Sequence, residues 1–178
     1  MTTAEPPRDC PLCPRLAEFR GKNRETQPAY FNAPVPTFGM TSARLLIVGL
    51  APGLHGANRT GRPFTGDFAG DLLYATLLKH GLARGTYDKR ADDGLELVDC
   101  AITNAVRCVP PQNKPLPSEI KTCRQFLAAQ IASMTHLHAI LAAPDLSAVL
   151  RDFKSYTARE LLLQITSEGR DWLANQLH

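Results

Sequence analysis

Residues 45–67 read LLIVGLAPGLHGANRTGRPFTGD, an apolar run that stops at Gly49 and opens into a loop carrying four further glycines. A short, partly β-branched apolar run ending at glycine predicts a buried strand followed by a loop. In an open parallel sheet, ligands gather at the carboxyl ends of strands, so a glycine-rich loop there is the place where a site would be built. Glycine takes φ > 0 without strain and lets a ligand approach main-chain N–H groups. Residues 56–62 have the outline of a phosphate-cradling loop, but Arg62 and Pro63 stand where that motif needs Lys and Ser or Thr, which argues against a nucleoside triphosphate. Taken alone, the stretch is also compatible with a purely structural connection from strand to helix.

Moving downstream, Ala69, Leu72, Leu73, Thr76, Leu77 and His80 recur at helical spacing, with Gly81 as a stop. Residues 95–103 predict a second parallel strand with Cys100 inside it, and Asn104 at its end faces the same crevice as the loop. Prolines 110, 111, 115 and 117 stiffen the next connection, a helix spans about 118–132 with Glu119 in its first turn, and residues 137–141 supply a third strand. This βαβαβ order argues an α/β fold, a three-layer α/β/α sandwich around a central parallel sheet. Upstream, residues 1–8 are polar and expected to fray, Leu16 and Phe19 allow a short amphipathic helix, and Pro28, Pro34 and Pro36 make an extended loop. After Pro144, apolar positions from Leu146 to Leu161 mark one helix face, and Ser167 can cap a last helix carrying Trp172 and Leu177.

With 178 residues, 44% hydrophobic and 21% charged, the composition is that of an ordinary globular protein. No stretch approaches the roughly 18 apolar residues of a membrane helix, and residues 1–9 lack a leader's apolar core, so a cytoplasmic protein with no membrane partner is expected. Residues 143–178 carry four Lys/Arg against five Asp/Glu, so the basic excess lies in residues 1–142, sixteen against twelve. That mild excess permits a phosphate-backbone partner and is equally compatible with a solvated face.

Five cysteines in a cytosolic setting argue against a disulfide framework. Cys10, Cys13, Cys108 and Cys123 are the metal candidates, and Cys100 reads as a small buried hydrophobe. Thiolates suit zinc or iron-sulfur clusters, and the spacing does not choose between cluster, zinc and free thiols, although it is not the paired CxxC of a zinc ribbon.

CPLC (10–13), GLAPG (49–53), GANRTGRPFTGD (56–67) and ITNAVRC (102–108) follow one another in this order. Together they resemble the iron-sulfur uracil-DNA glycosylases, and Leu50 with the NRTG segment is similar to the type 5 members. The resemblance implies a 4Fe-4S cluster on Cys10, Cys13, Cys108 and Cys123 with a structural role. It implies that Gly49, Ala51, Phe64 and Asn104 bind the base, with Phe64 as a stacking platform and Asn104 reading the base edge. Asp67 and Asn104 become the catalytic pair, Asp67 orienting water and stabilising the sugar cation, while His55, Asn58 and Arg59 contact the DNA backbone. Read from the residues alone, Phe64 could equally tuck into the core, Asn104 cap a loop, Asp67 cap the following helix, and the other three face solvent.

The resemblance runs from about Cys10 to about Ala142 and then breaks, with no strand and His-Pro-Ser motif of the kind that stabilises the departing base in such enzymes. Residues 134–178 instead resemble a fragment of REP-associated tyrosine transposases, to whose metal pair His136 and His138 correspond in type. The expected organisation is therefore a hybrid chain: a glycosylase-like domain, 1–142, incomplete at its carboxyl end, and a helical appendage, 143–178. The expected activity is excision of uracil, and of other deaminated bases, from DNA by a monomer, weakened by the replaced end. An iron-sulfur DNA-binding protein without turnover is the alternative. Protein purified without oxygen is expected to carry about four irons per chain, and iron, sulfide and zinc analysis checks this; stoichiometric zinc with no iron would overturn it.

Overall fold

The structure is a computed structural model that describes residues 4–142, all within one unit of the chain, Met1–Pro144. In chain order the elements are helix α1 (Pro14–Thr26), strands β1 (Phe38–Gly39) and β2 (Leu45–Gly49), a one-turn helix α2 (Ala57–Thr60), helix α3 (Phe68–Lys79), strands β3 (Ala83–Arg84), β4 (Glu96–Leu97) and β5 (Cys100–Asn104), helix α4 (Pro117–Ser133) and strand β6 (Ala139–Ala142). The main sheet has the order β1-β5-β2-β6. Strand β2 runs parallel to both β5 and β6, as the βαβαβ pattern predicts.

Burial on both sides explains why β2 and β5 are unbroken runs of apolar and small residues. Leu46, Val48 and Ala101 share one face with Met134 and with Leu127 and Ile131 of α4. On the other, Phe38 pairs with Ile102 across β1 and β5, and its ring meets Tyr74 of α3 edge-on at 6.5 Å. Helices thus cover both faces, the expected α/β/α sandwich.

Three local expectations need correction. The sheet is mixed, because β1 pairs antiparallel with β5 inside what reads as a proline-punctuated loop. Gly39 ends it at φ 106°, where a Cβ would lie 2.5 Å from the Cys100 carbonyl oxygen. The single strand expected over 95–103 is two, because Asp99 takes φ 54° while its carboxylate accepts from the Arg44 backbone N–H and guanidinium. Strand β4 consequently leaves the main sheet and pairs with β3. The third strand expected over 137–141 begins only at Ala139, because His136 lies in a turn ahead of it and His138 Nδ1 meets the His136 carbonyl at 2.6 Å. The helices expected at 146–161 and after Ser167 lie outside the described residues. Among the described residues, no helix is long and apolar enough to cross a membrane.

One buried ion pair fixes the long loop after β2. Arg62 and Asp93 are 4% and 1% exposed at their side chains and make two parallel hydrogen bonds of 2.8 Å. Arg62 Nε donates to Thr65 Oγ1, and the guanidinium lies 5.2–5.7 Å from the rings of Phe38, Tyr74 and Tyr87. Tyr74 Oη donates to the Pro63 carbonyl at 2.6 Å, so residues 63–65 are gripped on both sides of Phe64. Burial opposes ionisation of Asp93, but the hydrogen bonds from Arg62 and from the Asp88 and Leu95 N–H groups outweigh it and hold the carboxyl well below the usual range. A depressed folded pKa contributes stability that is present above the unfolded value, about 3.9, and lost as pH falls through the folded one. Asp93→Asn is therefore expected to lose on the order of 3 kcal/mol near neutral pH, with the gap to wild type narrowing below pH ~4. Urea unfolding of both proteins across that range measures it, and a gap independent of pH would refute the assignment.

Candidate active site and cysteine centre

Parallel pairing in register sets Gly49 beside Asn104 at the carboxyl ends of β2 and β5. A Cβ at Gly49 would lie 2.4 Å from Phe64 Cζ and 2.6 Å from Asn104 Oδ1. The glycine is thus required because an aromatic ring and an amide occupy the space its side chain would fill. Phe64 holds φ 53°, a conformation that an aromatic residue adopts only when its surroundings enforce it, here through the anchored Pro63 and Thr65. Gly70 of α3 completes the seat, since a Cβ there would stand 1.6 Å from the Phe64 carbonyl oxygen.

Asp67 is the N-cap of α3, one of the two readings made of it. Its Oδ1 accepts the Gly70 N–H at 2.8 Å and caps α3. Its Oδ2 faces the loop, the nearest atom to Cβ positions built on Gly53 (3.8 Å) and Gly56 (2.9 Å). The arrangement leaves one carboxylate oxygen at the glycine loop with its partner oxygen tied down, a geometry suited to holding a water. A flat ring and a primary amide with a donor and an acceptor thus meet at Gly49, and a carboxylate oxygen stands at Gly53 and Gly56 of the same loop.

Other expected site residues separate. The Ala51 side chain packs against the core formed by Cys10, Leu16, Val106, Cys123 and Phe126, which makes it a link to the cysteines. His55 and Arg59 are exposed at the loop, His55 meeting Tyr30 Oη at 3.0 Å and Arg59 Nε donating to the His55 carbonyl. Asn58 departs from the expected backbone contact with DNA: it is 1% exposed, and its Nδ2 donates to Asn32 Oδ1. Asn32 Nδ2 in turn donates to the carbonyls of Asn23 and Gln27, so this amide chain ties the loop to the end of α1.

Cys10, Cys13, Cys108 and Cys123 line one cavity of about 20 Å³, together with Leu16, Val106 and Phe126. They arrive from the amino-terminal segment, the N-cap of α1, the loop after β5 and α4. Cys100 stays apart inside β5, 1% exposed. No disulfide forms. Burial pushes the Cys13 thiol up to about 11, with neighbouring cysteines and Glu119 adding to it. Burial likewise takes Cys108 up to about 12 against the opposing pull of Arg20, and raises Cys123 against the pull of its hydrogen bond from the Arg107 N–H and of the Arg107 guanidinium. Thiolates in this cavity therefore need a compensating cation. Among the described residues, no three His, Cys, Asp or Glu side chains converge closely enough to grip a single ion. Four cysteines bordering one cavity are soft donors of the type that binds zinc or iron-sulfur groups.

Arg62, Tyr74 and Asp93, which seat Phe64, and Arg20 and Arg107, which approach the cysteines, were not legible in the sequence. An arginine's burial leaves no periodic mark, and Arg62 stood out only as the wrong residue for a phosphate loop.

The sequence profile of the uracil DNA glycosylase superfamily matches residues 36–177. The chain belongs to this superfamily. Its relatives include type-5 uracil-DNA glycosylases from Thermus thermophilus, 43% identical over 75% of this chain and 63% of the relative, and from Mycobacterium bovis, 47% identical over 75% and 52%. Another, from Pyrobaculum aerophilum, is 38% identical over 84% of this chain and 69% of the relative. The chain thus spans from about half to just over two thirds of these relatives' lengths. The matched span includes residues 143–177, which lie almost wholly outside the range where the sequence resemblance was legible.

Asn58→Ala leaves a buried Asn32 oxygen unpartnered and is expected to cost about 1–3 kcal/mol of stability, which denaturant unfolding checks.

Proposed function

We propose that this superfamily member excises uracil, and other deaminated bases, from DNA by hydrolysing the N-glycosidic bond. The observation that carries this reading is the convergence of Phe64, Asn104 and Gly49 beside a carboxylate with one oxygen turned to the loop. A duplex hides its bases, so the target nucleotide must first swing out of the stack. Phe64 then offers a face for the ring, and Asn104 offers its N–H to a base carbonyl and its oxygen to the base N–H. Asp67 Oδ2 holds a water below C1′. As the bond to the base breaks, its electron pair leaves with the ring nitrogen, and positive charge grows on the sugar opposite Asp67. The water oxygen bonds to C1′, and its proton passes by way of Asp67 to solvent.

The donor set fits a 4Fe-4S cluster: all four candidates are cysteines, they share one cavity, and N–H donors from Arg20 and Arg107 lie at two of their sulfurs. Cys10, Cys13, Cys108 and Cys123 would hold it. The bound group would supply a cross-link between the amino-terminal segment, the loop after β5 and α4, with no redox step in the hydrolysis. DNA is the partner in this reading, His55 and Arg59 stand at the rim to meet its backbone, and the enzyme works as a cytoplasmic monomer.

Incubation with a uracil-containing duplex followed by alkali reports excision, and strand breaks no more frequent than in a thymine control would defeat the proposal. Asp67→Asn separates the two roles of that residue, because Asn also caps helices well. The rate is expected to fall by ~10² to 10⁴ while the unfolding midpoint stays near wild type; an unchanged rate would remove Asp67 from the chemistry.

A further inference from the structure

The inward face of α1 carries Leu16 but is otherwise polar, with Arg20 and Asn23 buried beside it. Phe19 is only half-buried, whereas Arg20 is 6% exposed. Arg15 and Arg24 on the same helix pair with the carboxylates of Glu119 and Asp9. Arg20 instead directs Nη2 to the Cys10 carbonyl at 3.0 Å and Nη1 to Cys108 Sγ at 3.5 Å.

Arg107 approaches the cysteines from another element, and it is fully buried. Its backbone N–H donates to Cys123 Sγ at 3.4 Å. Nη1 reaches Glu5 at 3.2 Å and Thr37 Oγ1 at 2.9 Å, but Nε and Nη2 have no hydrogen-bond partner among the described residues although both are buried. Orphaned buried donors are rare in folded proteins and call for an acceptor. Arg107 Nη1 has the Glu5 carboxylate, but neutral thiols are poor acceptors, so the Arg20 Nη1 contact to Cys108 Sγ and the two orphaned Arg107 donors are better satisfied if the cavity holds negative charge. Four thiolates around an oxidised 4Fe-4S core leave a net charge of about −2.

We infer that Arg20 and Arg107 are the counter-charges of a metal-sulfur cluster in the cysteine cavity, donating to its sulfurs, slowing its loss and favouring its reduced form. The inference rests on the cluster proposed above. One-electron reduction adds a negative charge to the cluster, so a nearby guanidinium stabilises the product more than the reactant and raises the potential. Neither residue touches the crevice, so both act as positioning residues through the cysteines. Cys108 lies four residues beyond Asn104, and the Ala105 and Val106 N–H groups bond to the Gly49 and Leu50 carbonyls. A cluster kept in place therefore braces the segment that carries the base-reading amide.

The test uses full-length protein prepared without oxygen, as wild type, Arg20→Gln, Arg20→Lys and Arg107→Gln. Voltammetry reads the reduction potential, and iron transfer to a chelator reads retention. Arg20→Gln is expected to shift the potential negative and release iron roughly tenfold faster, with Arg20→Lys between it and wild type because it keeps the charge and loses the fork. Arg107→Gln shifts the same way wherever it folds, and the Arg20 pair decides the matter if it does not. A cluster-loaded Arg20→Gln with wild-type potential and wild-type iron release would overturn this inference alone. Wild-type protein that holds no iron and sulfide after reconstitution would overturn the cluster proposal beneath it.

Discussion

The site depends on the parallel pairing of Leu45–Gly49 with Cys100–Asn104. That ladder places two strand ends far apart in sequence side by side, with the side chain absent at Gly49 and present at Asn104. The space vacated at the glycine is filled by Phe64. Slipping the register by one residue would turn the two central strands over and take Asn104 away from the ring. Crevice and core are therefore specified by the same hydrogen bonds.

The glycine loop needs more than its strand, since a left-handed aromatic residue costs free energy that its neighbours must supply. Arg62 supplies it, held by Asp93 and enclosed by three aromatic rings. Because Asp93 comes from the segment leading into β4, a part of the chain with no residue in the crevice helps set the platform. Ala51 plays a comparable part on the opposite side, where the same loop leans on the cysteine core. The crevice is thus wedged between an ion pair and a cysteine cavity, and distortion of either would be felt at Phe64 or at Asn104.

Much of this was legible in advance. An apolar run stopping at glycine, a helical stripe closed by Gly81 and a second run ending at Asn104 carry their own periodicities, and these reflect burial on one or two faces. The order of the glycine, asparagine and cysteine segments carries the family resemblance that named Phe64, Asp67 and Asn104 as site residues, and the structure brings Phe64 and Asn104 together at Gly49. What failed was local or long-range. Asp99 breaks a strand by adopting a left-handed conformation that its letter only permits, and a proline-bounded segment donates an edge strand because β5 has an unpaired side to offer. Asn58 looked like a loop residue free to meet DNA, but Asn32, a distant residue, takes up its amide.

The sequence by itself determined the alternation of strands and helices, the position of the glycine loop at a strand end, and the identity of the chemical groups there, because hydrophobic period and residue type act over a few neighbours. Only the tertiary structure decided which polar groups are buried and against what. Arg20, Arg62, Arg107 and Asn58 look alike with exposed counterparts in a string of letters, and their roles come from partners many residues away whose approach depends on the completed packing of the sheet and its helices.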